Sequence, residues 1–393
     1  MQVPDVVTPF SRAGGFYAKA WRRYVFRSRG DVPVARPTAA LAGHALLDEA
    51  MLAAFRLVHT EDESVWPRLD RETAAAVALY AERGWLDAPE SYHRTPPAPS
   101  SAEVTLRDVR GARFRYERLS FDSGYEPHLG EPGRDRWLGY EANRRARAWV
   151  LRHDEPRPWL VCIHGARMGR PTIDLAIFRA RWLHEELGLN VVFPVQPLHG
   201  PRKRDVPAGT TYPGPDVMDN VHGAAQAAWD VRRVLAWIRS EDPSARIGLS
   251  GVSLGGYAAA LVASLDGDLA CAILGVPCVD LVELMTHHAR VPWRGAQREI
   301  LERAWQIGRV VAPLAMTPAI PLERRFIYAG VADRLVHPRH QVVRLWEHWG
   351  RPEIQWYRGG HVLFSRSEPV GRFVREALTR SLRPRELVVE AAT

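Results

Sequence analysis

Ile247-Gly248-Leu249-Ser250-Gly251-Val252-Ser253-Leu254-Gly255-Gly256-Tyr257 reads as an apolar strand, a Gly-x-Ser-x-Gly turn and the start of a helix. Each part has a physical reason. A nucleophilic serine has to stand at the top of a sharp turn between strand and helix, in a strained backbone conformation. Glycines two before and two after it let the strand and the helix approach closely. The serine then sits at a helix N-terminus, where amide donors and the dipole favour negative charge. The small residues Ala258, Ala259 and Ala260 continue the helix.

A serine needs a base to act near neutral pH. Working outward, Phe326–Ala329 is an apolar strand that runs through Gly330 to Asp333. Ile354–Tyr357 is another, which runs into Gly359-Gly360-His361. Chain order is serine, acid, histidine. Both latter residues fall at the carboxyl ends of successive strands, on the serine's edge of the sheet. Asp280, after the preceding strand, is the rival acid. Upstream, Trp159–Ile163 is a strand that ends in His164-Gly165-Ala166 on the same edge. The N–H groups of Ala166 and Leu254 are the candidate oxyanion donors, and losing one such donor costs about 3–4 kcal/mol of transition-state stabilisation. His164 reads as a structural hydrogen-bonding residue.

The rest of the region alternates strands (190–195, 246–250, 269–274, 325–329, 353–357) with helices (173–186, 217–238, 254–264, 338–349, 368–382). Strands that are apolar on both faces, with helices between them, imply a parallel sheet covered on both sides. Ala148–Leu151 and Trp159–Ile163, around a turn with Pro156 and Pro158, read as a hairpin-like pair. Two helix-like runs, 279–288 and 297–311, interrupt the alternation after a strand's carboxyl end, where α/β proteins keep their sites. Residues 279–323 therefore read as a lid insertion, with Trp293, Trp305 and Met285 either as candidate walls of an apolar acyl pocket or as side chains that face the sheet. Arg167, Arg170, Arg202, Lys203 and Arg204 leave the same edge and read either as solvated loop charges without a function or as a candidate anion site, of which Arg167 is the substrate-binding candidate.

The motifs His164–Ala166, Gly251–Gly255, Asp333 and Gly359–His361 together resemble the α/β-hydrolase superfamily, over roughly residues 110–382. The resemblance implies an α/β fold with an eight-stranded, mostly parallel sheet and helices on both faces. It implies Ser253 as nucleophile, His361 as base and Asp333 as acid, with no cofactor and no metal. Pro197–Arg202 resembles the branch that includes hydrolase domain-containing protein 18. The expected activity is that of a serine hydrolase, cleaving a small-molecule carboxylic ester or thioester, with a lipid-like acyl group among the options. The alternatives are acyl transfer or peptidase action by the same triad, or a non-catalytic binding protein on this fold.

Composition narrows the rest. The chain has 393 residues, 46% hydrophobic and 25% charged, long enough for a large core without staples. Of 53 basic residues only Lys19 and Lys203 are lysine, and the arginines are spread among 45 acids. A nucleic-acid binder would concentrate its charge, so no nucleic-acid partner is expected. Three cysteines within or next to apolar runs read as buried free thiols, which fits a cytoplasmic protein. No secretory leader or membrane span is read. The expected organisation is a helical region with a Pro-rich linker over 1–100, the hydrolase domain over 101–385 and a tail over 386–393. In the first region Leu47, Met51, Phe55 and Val58 mark one helix and Leu69, Thr73, Val77 and Tyr80 a second, ended by Gly84. The basic, aromatic segment 16–27 reads as an arm packed on the body, with peripheral contact to an anionic membrane as its alternative.

Overall fold

The computed structural model describes residues 7–27, 30–58, 63–111, 115–289 and 295–382. Trp293 and the tail 386–393 lie outside the described residues.

Three helices come first: α1 (Val7–Val25), α2 (Ala39–Val58) and α3 (Trp66–Glu82). Helix α3 stops at Gly84, whose φ of 71° lets the amides of Gly84 and Trp85 turn back to the carbonyls of Ala81 and Tyr80. The Pro-rich stretch then runs along the body, where the Arg233 guanidinium donates to the Pro97 carbonyl.

Nine strands follow: β1 (Thr105–Arg110), β2 (Arg115–Asp122), β3 (Arg145–Leu151), β4 (Trp159–Ile163), β5 (Asn190–Pro194), β6 (Ile247–Val252), β7 (Cys271–Gly275), β8 (Arg325–Gly330) and β9 (Glu353–Tyr357). They form one sheet in the order β1-β2-β3-β5-β4-β6-β7-β8-β9. Contacts from β5 to β9 are parallel, and those among β1, β2, β3 and β5 are antiparallel. This is the α/β-hydrolase arrangement of eight strands with one more on its edge. The extra strand is β1, and its sequence, Thr-Leu-Arg-Asp-Val-Arg, shows no apolar alternation. It pairs on one side only, and its charges blunt an exposed edge.

Two expectations need correction. β3 and β4 do not form a hairpin, because β5 inserts between them and pairs with both. The run 173–186 is not one helix, since α5 (Pro171–Ile177) ends before a separate turn of helix at Trp182–Glu186.

One face of the sheet is covered by α6 (Val217–Glu241) and α7 (Leu254–Leu265), with α4 (Arg134–Leu138) nearby. The stripe Val221, Ala224, Ala228, Val231, Leu235 and Ile238 of α6 is buried there, as its spacing requires. The other face carries α5 and α11 (Glu368–Leu382), with Leu175, Phe373 and Leu378 against Phe193, Ile273 and Phe326. Between β7 and β8 come α8 (Leu281–Ala289) and α9 (Ala296–Gly308), and between β8 and β9 α10 (Val342–His348). Helix α9 buries Ile300, Ala304 and Ile307 and packs on α3, where Arg303 bonds Asp70 and Thr73. Helix α3 is also tied to the start of α6: Arg136 bridges Glu72 at 2.7 Å and Asp219 at 3.0 Å, and Arg68 meets Asp216 at 2.6 Å. The N-terminal helices and the insertion thus share one layer over the sheet's carboxyl edge.

Cys162, Cys271 and Cys278 are buried and unpaired. Burial raises the pKa of all three thiols, that of Cys271 to about 12. The native protein should therefore leave Ellman's reagent uncoloured at pH 8 and release three equivalents after denaturation. A fast native reaction would contradict this packing.

Candidate active site

Ser253 stands between β6 and α7 with φ 56° and ψ −117°, a conformation that a non-glycine residue holds only when its surroundings impose it. The surroundings are visible. A Cβ on Gly251 would lie 2.1 Å from the Gly255 carbonyl oxygen, and one on Gly255 would lie 1.9 Å from that of Ile163. The Ser253 amide donates to Gly275 O at 2.9 Å, and its carbonyl accepts from Tyr257 and Cys278. The turn is held from both neighbouring strands, and Ser253 lines a large cavity.

His361 follows β9, and its Nδ1 lies 2.7 Å from Asp333 Oδ2. A carboxylate only accepts, so Nδ1 carries the proton and Nε2 keeps its lone pair. Asp333 Oδ1 accepts from the Leu335 and Val336 amides at 3.0 and 2.7 Å, which fixes the carboxylate. Burial alone would lower the pKa of His361. The Asp333 charge and hydrogen bond, with Asp48 added, outweigh it and raise the value above the ordinary one. The rival acid Asp280 is committed elsewhere: Oδ1 caps α8 by accepting from the Glu283 amide at 2.9 Å, and Oδ2 pairs with Arg344 at 2.9 Å.

Gly165 approaches Ser253 so closely that a Cβ there would lie 3.4 Å from the serine Cβ. Ala166 follows Gly165 in this loop and lines the cavity with Ser253 and His361. Leu254 opens α7, where the first amides have no intrahelical acceptor. His164 holds the loop from below. Its Nδ1 bonds Gly165 O at 2.7 Å and its Nε2 accepts the Gln196 amide at 3.0 Å. Burial drops its pKa to about 4, so it stays neutral. Asp174 anchors the far end, accepting from the Gly169 amide at 2.9 Å and from Trp149 Nε1 at 3.1 Å. Gly200 packs so tightly on Gly169 that no side chain fits.

The arginine cluster divides. Arg167, Arg170 and Lys203 line the cavity, and the Arg167 guanidinium lies over the Phe55 ring at 4.5 Å. Arg204 is exposed. Arg202 is fully buried, paired with Asp230 at 2.8 Å and bonded to the Val195 and Asn143 carbonyls, and so is unavailable to a substrate anion. Of the apolar candidates, Met285 and Trp305 line the cavity.

Sequence reasoning missed Asp48. It lies on α2, is 1% exposed, and its Oδ2 accepts from the His361 amide at 2.8 Å and the Arg334 amide at 3.0 Å. Its neighbour Glu49 pairs with the Arg334 side chain at 2.9 Å. A Cβ on Gly360 would lie 2.6 Å from Asp48 Oδ2, which is why a glycine precedes the histidine. One helix of the N-terminal region thereby holds both the acid loop and the histidine loop. No signal in the local sequence points to this, because the bonds join residues 286 and 313 positions apart.

The cavity measures about 2650 Å³. Its walls come from the N-terminal region (Pro9, Leu52, Phe55, Leu69), the insertion (Leu284, Met285, Ile300, Trp305) and the sheet's edge. Among the described residues no group of three or more His, Cys, Asp or Glu side chains is arranged to hold a metal ion, and no helix is long and apolar enough to cross a membrane.

No protein-family model matches the chain. It is 52% identical over 374 residues to the protein named Uncharacterized protein Rv2627c of Mycobacterium tuberculosis strain H37Rv, covering 95% of this chain and 90% of that one. The same holds for Uncharacterized protein MT2702 of M. tuberculosis strain CDC 1551. Among solved structures it is similar to an acetyl xylan esterase from Paenibacillus sp. R4, at 15% identity and a TM-score of 0.49, over 76% of this chain and 99% of that one. Acetyl Xylan Esterase 1 from Thermoanaerobacterium sp. JW/SL YS485 gives 16% identity and a TM-score of 0.45, over 74% and 98%. With half its residues shared along nearly its whole length, the chain belongs to the family of the M. tuberculosis protein Rv2627c, on an α/β-hydrolase fold.

Proposed function

We propose that the protein is a serine hydrolase that cleaves a carboxylic ester or thioester through an acyl-enzyme. The observation that carries this reading is the 2.7 Å bond from His361 Nδ1 to Asp333, with Ser253 on the strained turn in the same cavity wall. In the proposed cycle Ser253 Oγ attacks the acyl carbonyl while His361 Nε2 takes its proton. Asp333 stabilises the imidazolium that forms. The Ala166 and Leu254 amides receive the oxyanion. His361 returns the proton to the departing alkoxide or thiolate, then activates a water that releases the acid and frees Ser253. The apolar side chains that α8 and α9 bring to the cavity favour an apolar acyl group.

A fluorophosphonate probe tests this. The wild-type protein should label, and Ser253→Ala should not, while keeping the wild-type thermal unfolding midpoint. Undiminished labelling of that variant removes Ser253 as nucleophile. A folded wild-type protein inert to the probe and to p-nitrophenyl esters of several chain lengths favours a binding protein on this fold.

A further inference from the structure

We propose that helix α1 docks the protein onto bilayer surfaces that carry anionic headgroups. Phe10, Tyr17, Trp21, Tyr24 and Val25 are spaced 7, 4, 3 and 1 residues apart, which places them on one face of a helix. That face is open: Phe10 is 61% exposed, Trp21 46% and Val25 62%, and Phe26, just beyond the helix, is 74% exposed. The rings make a ladder, with Trp21 edge-on to Tyr17 at 6.5 Å and to Tyr24 at 6.3 Å. The helix is held on the body through buried Ala13, Arg12 against Glu49, Arg23 donating to Val32 O and, at the edge of the stripe, half-buried Tyr17 donating to Pro37 O at 3.3 Å. Phe10, Trp21, Tyr24 and Val25 remain exposed.

Charge selects the occupant. Residues 7–27 contain Arg12, Lys19, Arg22, Arg23 and Arg27 and no acid. Lys19, Arg22 and Arg27 have no acidic partner among the described residues. A second copy docked through this helix would bring like charges together. A nucleic acid would require the cations, not rings, to form the open stripe. Indole and phenol rings beside free cations suit the boundary between headgroups and acyl chains, where each ring keeps one polar edge wet. Thr8 and Pro9, directly before Phe10, line the cavity. Docking would therefore bring the cavity close to the lipid boundary, a consequence for substrate access that rests on the hydrolase reading. The docking itself does not rest on it.

Flotation of the full chain with vesicles of phosphatidylcholine, with and without phosphatidylglycerol, tests the proposal. Partitioning should be roughly tenfold or more stronger on the anionic vesicles, and high salt should abolish the difference. The double variant Trp21→Ala/Phe26→Ala and the charge variant Arg22→Glu/Arg27→Glu should each lose about tenfold in partitioning. Both should keep wild-type thermal stability and wild-type probe labelling in solution. Equal binding to both vesicle types, unchanged partitioning of either variant, or a dimer in solution that Trp21→Ala/Phe26→Ala dissolves would each overturn it. Vesicle binding is read without activity, so its failure and that of the hydrolase proposal are separable.

Discussion

Asp333→Asn should lower kcat/KM for a p-nitrophenyl ester by roughly 10⁴-fold while leaving the fold intact. The size follows from where the asparagine oxygen has to go. Asp333 Oδ1 receives the amides of both Leu335 and Val336. An asparagine keeps those two bonds only by placing its carbonyl oxygen there, which turns its NH2 toward His361 Nδ1. That nitrogen must then accept, so the imidazole proton moves to Nε2, the atom that has to take the serine proton. The base is switched off by tautomer, with geometry unchanged. The Asp333 charge that raises the pKa of His361 is lost as well, so the residual acidic limb of the pH profile should move down. Titrating kcat/KM from pH 5 to 9 in both proteins reads both effects. A loss smaller than about tenfold would be far below what a tautomer switch costs, and would return the acid role to Asp280.

What was legible in the sequence shares one property. Ser253, Asp333 and His361 each follow a short apolar strand, with glycine beside the place where the backbone must turn, so local pattern locates each one and chain order does the rest. Arg202 and β1 show the limit of local pattern. Beside Lys203 and Arg204, Arg202 looks like a solvated charge, yet Asp230 on α6 draws it inside. The polar β1 acquires strand structure only because β2 offers it an edge. Helix α2 shows another kind of miss. Leu47, Met51 and Phe55 define a helix, which exists, but the buried face is Leu41, Ala45, Asp48 and Leu52, while Leu47 is 39% exposed. Apolar periodicity assumes that the inward face is apolar. Here it carries two acids, Asp48 and Glu49, which are held by loops from the far end of the chain and, for Glu49, also by Arg12 of α1.

Those acids make Asp48 the most informative position outside the proposed triad. Asp48→Ala strands the buried His361 and Arg334 amides, at about 1–3 kcal/mol each, and releases both loops from α2. We expect a fall in the unfolding midpoint and a loss of roughly 10²-fold in kcat/KM, since small misplacement of a catalytic group costs about that much. Asp48→Asn should restore most of both losses, because Oδ2 alone accepts the two amides and an amide oxygen can replace it. Only charge then differs. Burial, reinforced by the Asp333 charge, pushes the Asp48 carboxyl up to about 6. A carboxyl whose folded pKa lies above its unfolded value holds its proton in the native state over pH 4–6 after the unfolded chain has lost it. Wild-type stability therefore falls as pH rises through that window and stays lowered above it. Asp48→Asn has no such group, so its stability relative to wild type should increase from pH 4 to pH 7. Its acidic limb should also shift down, because the Asp48 charge helps to raise the pKa of His361. A residue that merely fills space would move neither limb nor linkage, and an Asp48→Asn profile that superimposes on wild type would reduce Asp48 to a packing role.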